Sequence, residues 1–173
     1  MTAVPLMREL LQNARWLLDE TIKDVTPDQA QWTPPGVANP LGATLAHIVL
    51  TEDFIINNLL KGGAPLAAGE WAGKAGVSEP PPPSMDWASW GRNVKVDLNA
   101  LRTYAKAVNA ATDSYLANLP DEALQSKVDL SGFGLGEQTV AWVLDNAVVG
   151  HLREHCGEIS CLKGVQGAKG YPI

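Results

Sequence analysis

Apolar residues recur every three or four positions along most of this chain, which is the spacing of one face of an α-helix. The pattern is most regular from Trp87 to Leu119, where it predicts one helix of roughly thirty residues and ~45 Å. Three further stripes predict helices from about Pro5 to Lys23, from Pro40 to about Lys61 and from about Glu137 to Lys163. Because no run alternates as strand residues do, the sequence predicts an all-α fold, a four-helix bundle.

Several predicted helix ends carry residues that favour such positions. Asn39 can cap the second helix, and Pro40 suits its first turn because proline has no N–H to leave unpaired. Ser84 is a candidate cap for the third helix, and Gly164 stops the last one. The sequence therefore predicts where three of the four helices begin or end.

A long connection separates the second and third predicted helices. It begins at Gly62 and Gly63 and runs through four consecutive prolines at 80–83, which cannot be helical because proline lacks a donor and holds the backbone extended. Residues 62–85 are enough to cross the bundle, so neighbouring helices need not alternate in direction. Such a segment serves either as a lid over a binding site or as a plain crossover, and the sequence leaves both open.

The length and charge of the chain limit its partners. Its 173 residues fit one ordinary domain, so we expect a single domain over residues 1–173. A net charge of −6 and a pI near 5.0 argue against binding to nucleic acid or to an anionic membrane surface, since both need a basic face. Arg8 and Glu9 interrupt the first apolar stripe, which excludes a signal peptide or a membrane span there. We expect a soluble cytoplasmic protein.

The two cysteines and the apolar content add two further expectations. Cys156 and Cys161 lie ~140° apart around the last predicted helix, too far for a disulfide between them. We therefore expect reduced thiols, as in a reducing compartment. Hydrophobic residues make up 46% of the chain, and apolar positions left exposed on such a bundle favour a homodimer.

The chain has three histidines, and all of them fall on predicted inward faces. His151 and His155 continue the apolar stripe of the last helix, and residues four apart on a helix are stacked neighbours. This spacing brings two imidazoles within reach of one cation. His47 lies in the first half of the second helix, which is apolar on most sides. The sequence therefore predicts one shared metal site made by His47, His151 and His155.

The alternative is that each histidine is an ordinary core residue. A lone histidine on an apolar face is usually such a residue, with its nitrogens hydrogen-bonded to neighbours. Three clustered imidazoles satisfy one another poorly, however, unless a cation accepts their lone pairs. The metal site is for this reason the preferred interpretation.

Two carboxylates accompany the predicted ligands on the last helix. Glu154 and Glu158 project within about 60° of the histidine direction, and Glu158 falls between His151 and His155 in projection. Either carboxylate can serve as a further ligand, as an acceptor for an imidazole N–H or as a catalytic acid–base group. Glu158 and Glu154 are therefore the candidate catalytic residues.

A set of three histidines leaves coordination positions open, which is typical of a reactive metal rather than of a closed structural one. Water or a small-molecule substrate can occupy these positions. Neutral imidazoles suit Zn, Ni, Fe, Co or Mn, and the sequence does not choose among them. The sequence alone leaves open a metal-dependent enzyme and a non-catalytic bundle that uses its metal for stability or sensing.

Two segments carry a resemblance to a known family. LGATLAHIVLTEDFI, which contains His47, and HLREHCGEISCLKGVQGAKGYPI, which contains the other two histidines, resemble the DinB-like family, including its YfiT-like branch. The resemblance covers nearly the whole chain, and it implies a metal-binding four-helix bundle with a long second crossover. Carried over to this sequence, the three metal ligands of the family fall on His47, His151 and His155.

The resemblance also implies an activity. Some members of the family are metal-dependent transferases that join a low-molecular-weight thiol to an electrophile, or isomerases that use such a thiol as cofactor. A metal with an open position suits this chemistry because it binds a thiol as the thiolate. A hydrolase that activates water fits the same ligands. The other expectation is a non-catalytic bundle with a role in stability or in a stress response.

Overall fold

The structure is a computed structural model, and it describes residues 2–82, 84 and 86–172. Predictions that involve Pro83 or Met85 lie outside the described residues. The fold is all-α, as predicted, with long helices packed into a bundle. In chain order the helices are α1 (Ala3–Ile22), α2 (Pro27–Gln31), α3 (Leu41–Asp53), α4 (Trp87–Asn93), α5 (Leu98–Ala117), α6 (Val140–Trp142) and α7 (His151–Val165).

Two of the predicted helices contain a π-helical segment, in which each turn holds more residues than in an α-helix. Helix α3 continues without interruption as a π-helix over Phe54–Leu60. The last predicted helix is α6, a π-helix over Val143–Gly150 and then α7, which together form one continuous rod. The apolar stripes therefore predicted both rods, while the change of helix type inside them was not visible in the sequence.

The predicted third helix is wrong in one respect, because it is two helices. Helices α4 and α5 are separated by an extended segment in which Val94 has a ψ of 136° and Val96 pairs with Val77 in a β-bridge. Helix α5 then begins at Leu98. It is capped by Asp97, whose side chain accepts hydrogen bonds from the backbone of Asn99 and Ala100. The apolar stripe continues across the break, so periodicity alone could not reveal it.

Two predicted caps are also wrong. The residue that caps α3 is Pro40, and the side chain of Asn39 makes no cap hydrogen bond. Helix α4 is capped by Asp86, which accepts a hydrogen bond from the backbone of Ser89 at 3.0 Å, and not by Ser84. In both cases the helix begins one or two residues later than the sequence suggested. At α3, this leaves the Asn39 side chain available for other contacts.

Several small elements lie outside the four predicted helices, among them three short 3-10 helices at Leu66–Ala68, Asp121–Gln125 and Ser131–Phe133. Helix α2 occupies part of the predicted loop before α3 and begins with a reciprocal capping box. Strands β1 (Lys127–Asp129) and β2 (Glu137–Thr139) form an antiparallel hairpin. The sequence predicted that the last helix begins at about Glu137, but Glu137 belongs to β2. The helix begins at Val140 instead, and the Thr139 hydroxyl caps its first turn.

The long helices form a ring around one apolar core. Helix α3 packs against α7 and α5, and α1 packs against α7 and against the π-helical segment that precedes it. Helices α1 and α5 close the ring, but they contact each other sparsely. The burial of apolar side chains between these elements is the main force that holds the bundle together. Among the largest side chains that are fully withdrawn from solvent are Leu11, Leu41, Ile56, Leu101, Leu144 and Ile159.

The crossover after α3 is fastened to the bundle. The Asp53 carboxylate, which is 0% exposed, accepts hydrogen bonds at 2.9 Å from the backbone N–H groups of Leu66 and Ala67. Further along, the backbone of Ser78 pairs with Lys95 just before α5. The part of the crossover up to Ser78 is thus a docked connection rather than a free lid.

Two predictions about the chemistry of the chain can be compared with the structure. Cys156 is buried, Cys161 is exposed, and both are unpaired thiols, as predicted. Within the described part of the chain, no helix has both the length and the apolar character that a membrane crossing requires.

Candidate metal centre

The structure brings the three histidines together where α3 packs against α7. His47 lies in the middle of α3, His151 is the first residue of α7, and His155 follows one turn later. One ring nitrogen from each histidine lies within 4.8 Å of the other two. The centroids of the three rings are 4.5 to 4.9 Å apart. The arrangement is the convergent one that the sequence predicted.

The nitrogens are spaced so that one divalent ion would fit between them. The Nε2 atoms of His47 and His151 are 2.9 Å apart. With metal–nitrogen bonds of about 2.0–2.1 Å, two ligand nitrogens are separated by about 3.0 Å at right angles and about 3.4 Å in a tetrahedron. The His47–His151 pair would have to open by only a few tenths of an ångström to receive an ion, and the His155 nitrogen lies within 4.8 Å of both. The cluster is therefore compatible with metal binding.

The outer nitrogens of two rings have partners that orient the inner ones. The Nδ1 of His155 is 2.8 Å from the Glu158 carboxylate, which can only accept, so Nδ1 carries a proton and Nε2 is the nitrogen left to act as a ligand. The Nδ1 of His47 faces the Thr51 hydroxyl at 3.4 Å. Partners of this kind fix the ring and make the inner nitrogen a better ligand.

Burial keeps two of the rings neutral. It lowers the pKa of His47 to about 4 and that of His151 to about 3, and neighbouring histidines add to both shifts. Both imidazoles are uncharged at neutral pH and can offer lone pairs to a cation. The hydrogen bond with His155 lowers the pKa of Glu158, which stays a carboxylate. The cluster thus combines two neutral rings with one supporting negative charge.

Of the two candidate carboxylates, the structure brings only one into the site. Glu158 contacts His155 and lines the pocket beside the cluster. Glu154 lies on the same helix but is exposed and does not line that pocket. It sits at the edge of the inward stripe, where a long side chain reaches solvent more easily than the core. Its predicted catalytic role has no support from this geometry.

A pocket of about 140 Å³ opens beside the histidines. Its walls include Trp87, whose ring centroid lies 4.3 Å from that of His47, and Trp90 from the same short helix. The hydroxyl-bearing Thr44 lines it from α3. The pocket is smaller than the roughly 300–1,000 Å³ typical of sites for drug-sized ligands. It can hold a small reacting group next to the metal site.

One contact in the pocket wall was not predicted. A side chain at Gly91 would place its Cβ 2.7 Å from the Cγ of Asn39, so it would displace the Asn39 amide from its position against α4. The buried Oδ1 of Asn39 has no hydrogen-bond partner among the described residues. Sequence reasoning had assigned Asn39 to a helix cap, and nothing in the sequence indicated that Gly91 lies against it.

Comparisons with known proteins agree with this architecture. The family model of the DinB superfamily matches residues 10–159, a range that contains all three histidines. A crystal structure described as that of a conserved protein from Enterococcus faecalis is similar over 96% of this chain and 99% of its own, with a TM-score of 0.80 and 24% sequence identity. At that identity the likeness shows the fold alone. No curated protein matches this chain.

Proposed function

This chain belongs to the DinB superfamily, and we propose that it is a metal-dependent enzyme in which His47, His151 and His155 hold one divalent ion. The observation that carries the proposal is the meeting of three ring nitrogens within 4.8 Å, beside a pocket. A structural metal is usually closed off by four protein ligands, whereas a catalytic one keeps a position open. Three histidines next to a cavity fit the second kind.

The ion would supply the activation of a nucleophile. A divalent metal lowers the pKa of a thiol or of water that binds to it, so that either becomes reactive at neutral pH. We favour a low-molecular-weight thiol as nucleophile, because the resemblance to DinB-like transferases points to it. In such a reaction the sulfur forms a bond to an electrophilic carbon, the bond to the leaving group breaks and the thiol proton passes to solvent.

The other residues of the pocket would orient and shield. Glu158 holds the Nδ1 proton of His155 and thereby keeps the inner nitrogen of that ring turned inward. Trp87 covers His47 with its ring, which limits the access of water to the cluster. We assign Glu158 a positioning role, because its hydrogen bond to His155 already occupies one of its oxygens.

The experiment has two parts, metal content and turnover. The protein would be purified without chelator and its metal content measured, and then offered small thiols with an electrophile, before and after chelation. We expect one divalent ion for each chain and thiol-dependent turnover that chelation abolishes. His151→Ala should lose both, and Glu154→Gln, an exposed change on the same helix, should lose neither.

The same experiment separates the remaining possibilities. Turnover of an ester or amide without added thiol would favour the hydrolase. Stoichiometric metal that raises the melting temperature, with no turnover of any substrate offered, would favour a non-catalytic bundle. Turnover that survives both chelation and His151→Ala would contradict the metal-dependent enzyme.

A further inference from the structure

A second cavity lies on the other side of α3 from the histidines. It follows the seam where α1 and α5 contact each other sparsely, and it measures about 310 Å³. This volume falls at the lower end of the roughly 300–1,000 Å³ in which small-molecule sites lie. Helix α3 turns His47 towards the metal pocket and Ile48 towards this seam groove. The apolar floor includes Leu18, Ile22, Leu45, Ile48, Leu101 and Leu152.

One end of the seam groove carries an incompletely satisfied cation. Arg15 is 9% exposed, and its two terminal nitrogens donate to Glu52 and, at 2.8 Å, to Asp113. The third nitrogen, Nε, is buried and has no hydrogen-bond partner among the described residues. A buried N–H without an acceptor is costly, and such groups often mark a place where a ligand or water completes the set.

The rim of the seam groove is positive although the protein is acidic. Arg102 and Lys106 lie four residues apart on one face of α5. Lys106 forms no ion pair with any residue that the structure describes. Arg102 donates one hydrogen bond to the carbonyl of Ile22, at 2.8 Å. The facing carboxylate is Asp19. Burial raises its pKa, while the nearby charges of Arg15, Arg102 and Lys106 act in the opposite direction, so Asp19 offsets part of the positive charge of the rim. On a chain with a net charge of −6, two such cations above an apolar floor form a local exception.

We propose that the seam groove binds a small amphipathic carboxylate, with its hydrocarbon chain on the apolar floor and its carboxylate at Arg102 and Lys106. The volume of about 310 Å³ is large enough for a short hydrocarbon chain, and hexanoate serves as the probe. Arginine and lysine provide the donors that a carboxylate requires. A neutral chain of the same length would lack the charge, and an alkylammonium would meet repulsion from the rim. This site is independent of the metal centre and of the proposed reaction.

The test is a titration of the purified protein with hexanoate, in which binding is followed by amide chemical shifts. We expect saturable shifts in α1 and α5, and binding about tenfold weaker for hexan-1-ol. Lys106→Glu should weaken hexanoate binding about tenfold, whereas Lys74→Glu, an exposed change on the crossover, should leave it unchanged. Ala105→Phe, which fills the seam groove, should abolish binding while the protein stays folded.

A carboxylate could also bind a metal, so the location of the shifts decides the result. Binding that persists in His151→Ala, with shifts along the seam, supports the proposal. Shifts confined to the histidine pocket would overturn it, as would equal affinities for hexanoate and hexan-1-ol. It would also be overturned by equal effects of the two lysine variants, by no binding at all, or by sedimentation showing that a second copy of the chain covers the seam.

Discussion

Two buried polar clusters on α3 and its π-helical extension differ in how completely the protein satisfies them. The Asp53 carboxylate accepts hydrogen bonds from four groups, which belong to Asn57, Leu66, Ala67 and Tyr104. The histidine cluster lies less than two turns away, yet its inner nitrogens converge on one another. Among the residues that the structure describes, they meet no donor except another imidazole. The first cluster is complete without a ligand. The second one brings ring nitrogens together in a way that is compatible with a cation, and this difference distinguishes a closed structural network from the proposed metal site.

Removal of the satisfied carboxylate should have the largest effect on stability. Asp53→Ala leaves two backbone N–H groups and the Tyr104 hydroxyl without their acceptor, so we expect the free energy of unfolding to fall by about 3 to 5 kcal/mol. Urea unfolding measures this loss. Asp145→Ala, an exposed change, should alter stability little. A loss below about 1 kcal/mol for Asp53→Ala would show that this network does not hold the crossover.

Metal should stabilise the native protein only through the cluster of His47, His151 and His155. With free metal at 100 times its Kd, binding adds about 2.7 kcal/mol, or ~5–10 °C in Tm for a domain of this size. His151→Ala should remove this increase and leave the metal-free stability close to that of the native protein. Thermal unfolding with and without metal gives the comparison. An equal increase in native protein and variant would place the metal elsewhere.

The support that Glu158 gives to His155 should have a smaller effect. Glu158→Gln keeps a hydrogen bond but removes the charge, and losses of this kind lower metal affinity by about 10 to 100-fold. Titration against a competing chelator measures the affinity. Glu154→Gln serves as the matched control, because it makes the same change at an exposed position one turn earlier. Equal affinities in the two variants would remove Glu158 from the site.

Acid should destabilise the metal-free protein through the same histidines. The pKa values of His47 and His151 fall from the ordinary 6.5 to about 4 and about 3 on folding. Below about pH 6.5 these histidines are therefore protonated in the unfolded chain but stay neutral in the folded one. Between pH 7 and 5.5 the free energy of unfolding should fall by about 1 kcal/mol for each histidine. Urea unfolding at the two pH values tests this. A variant in which both histidines are Gln should lose this pH dependence of the free energy of unfolding. If the variant keeps the full pH dependence, other groups are responsible.

The long helices and the inward orientation of the histidines could be predicted from sequence, because helical spacing determines both. The apolar stripes predicted the long rods, and the spacing of His151 and His155 predicted that both face inward with His47. Hydrophobic burial determines these features locally, so a single sequence contains them.

The features that escaped prediction depend on contacts between distant segments. The break before Asp97 is stabilised by pairing with the crossover, while the apolar stripe runs on through it. The π-helical turns leave no clear mark in the apolar pattern. The approach of Gly91 to Asn39 is a packing detail between two elements, and the hydrogen bonds of Asp53 come from a segment 13 and 14 residues further along.

The most direct test of the account is the metal content of the native protein beside the triple variant His47→Ala, His151→Ala, His155→Ala. Both proteins would be purified without chelator, and divalent metals would be measured by elemental analysis together with circular dichroism. The account predicts one ion for each native chain, none in the variant and the same helical content in both. A native protein that holds no ion and binds none on titration would contradict it, and so would a triple variant that retains a stoichiometric ion.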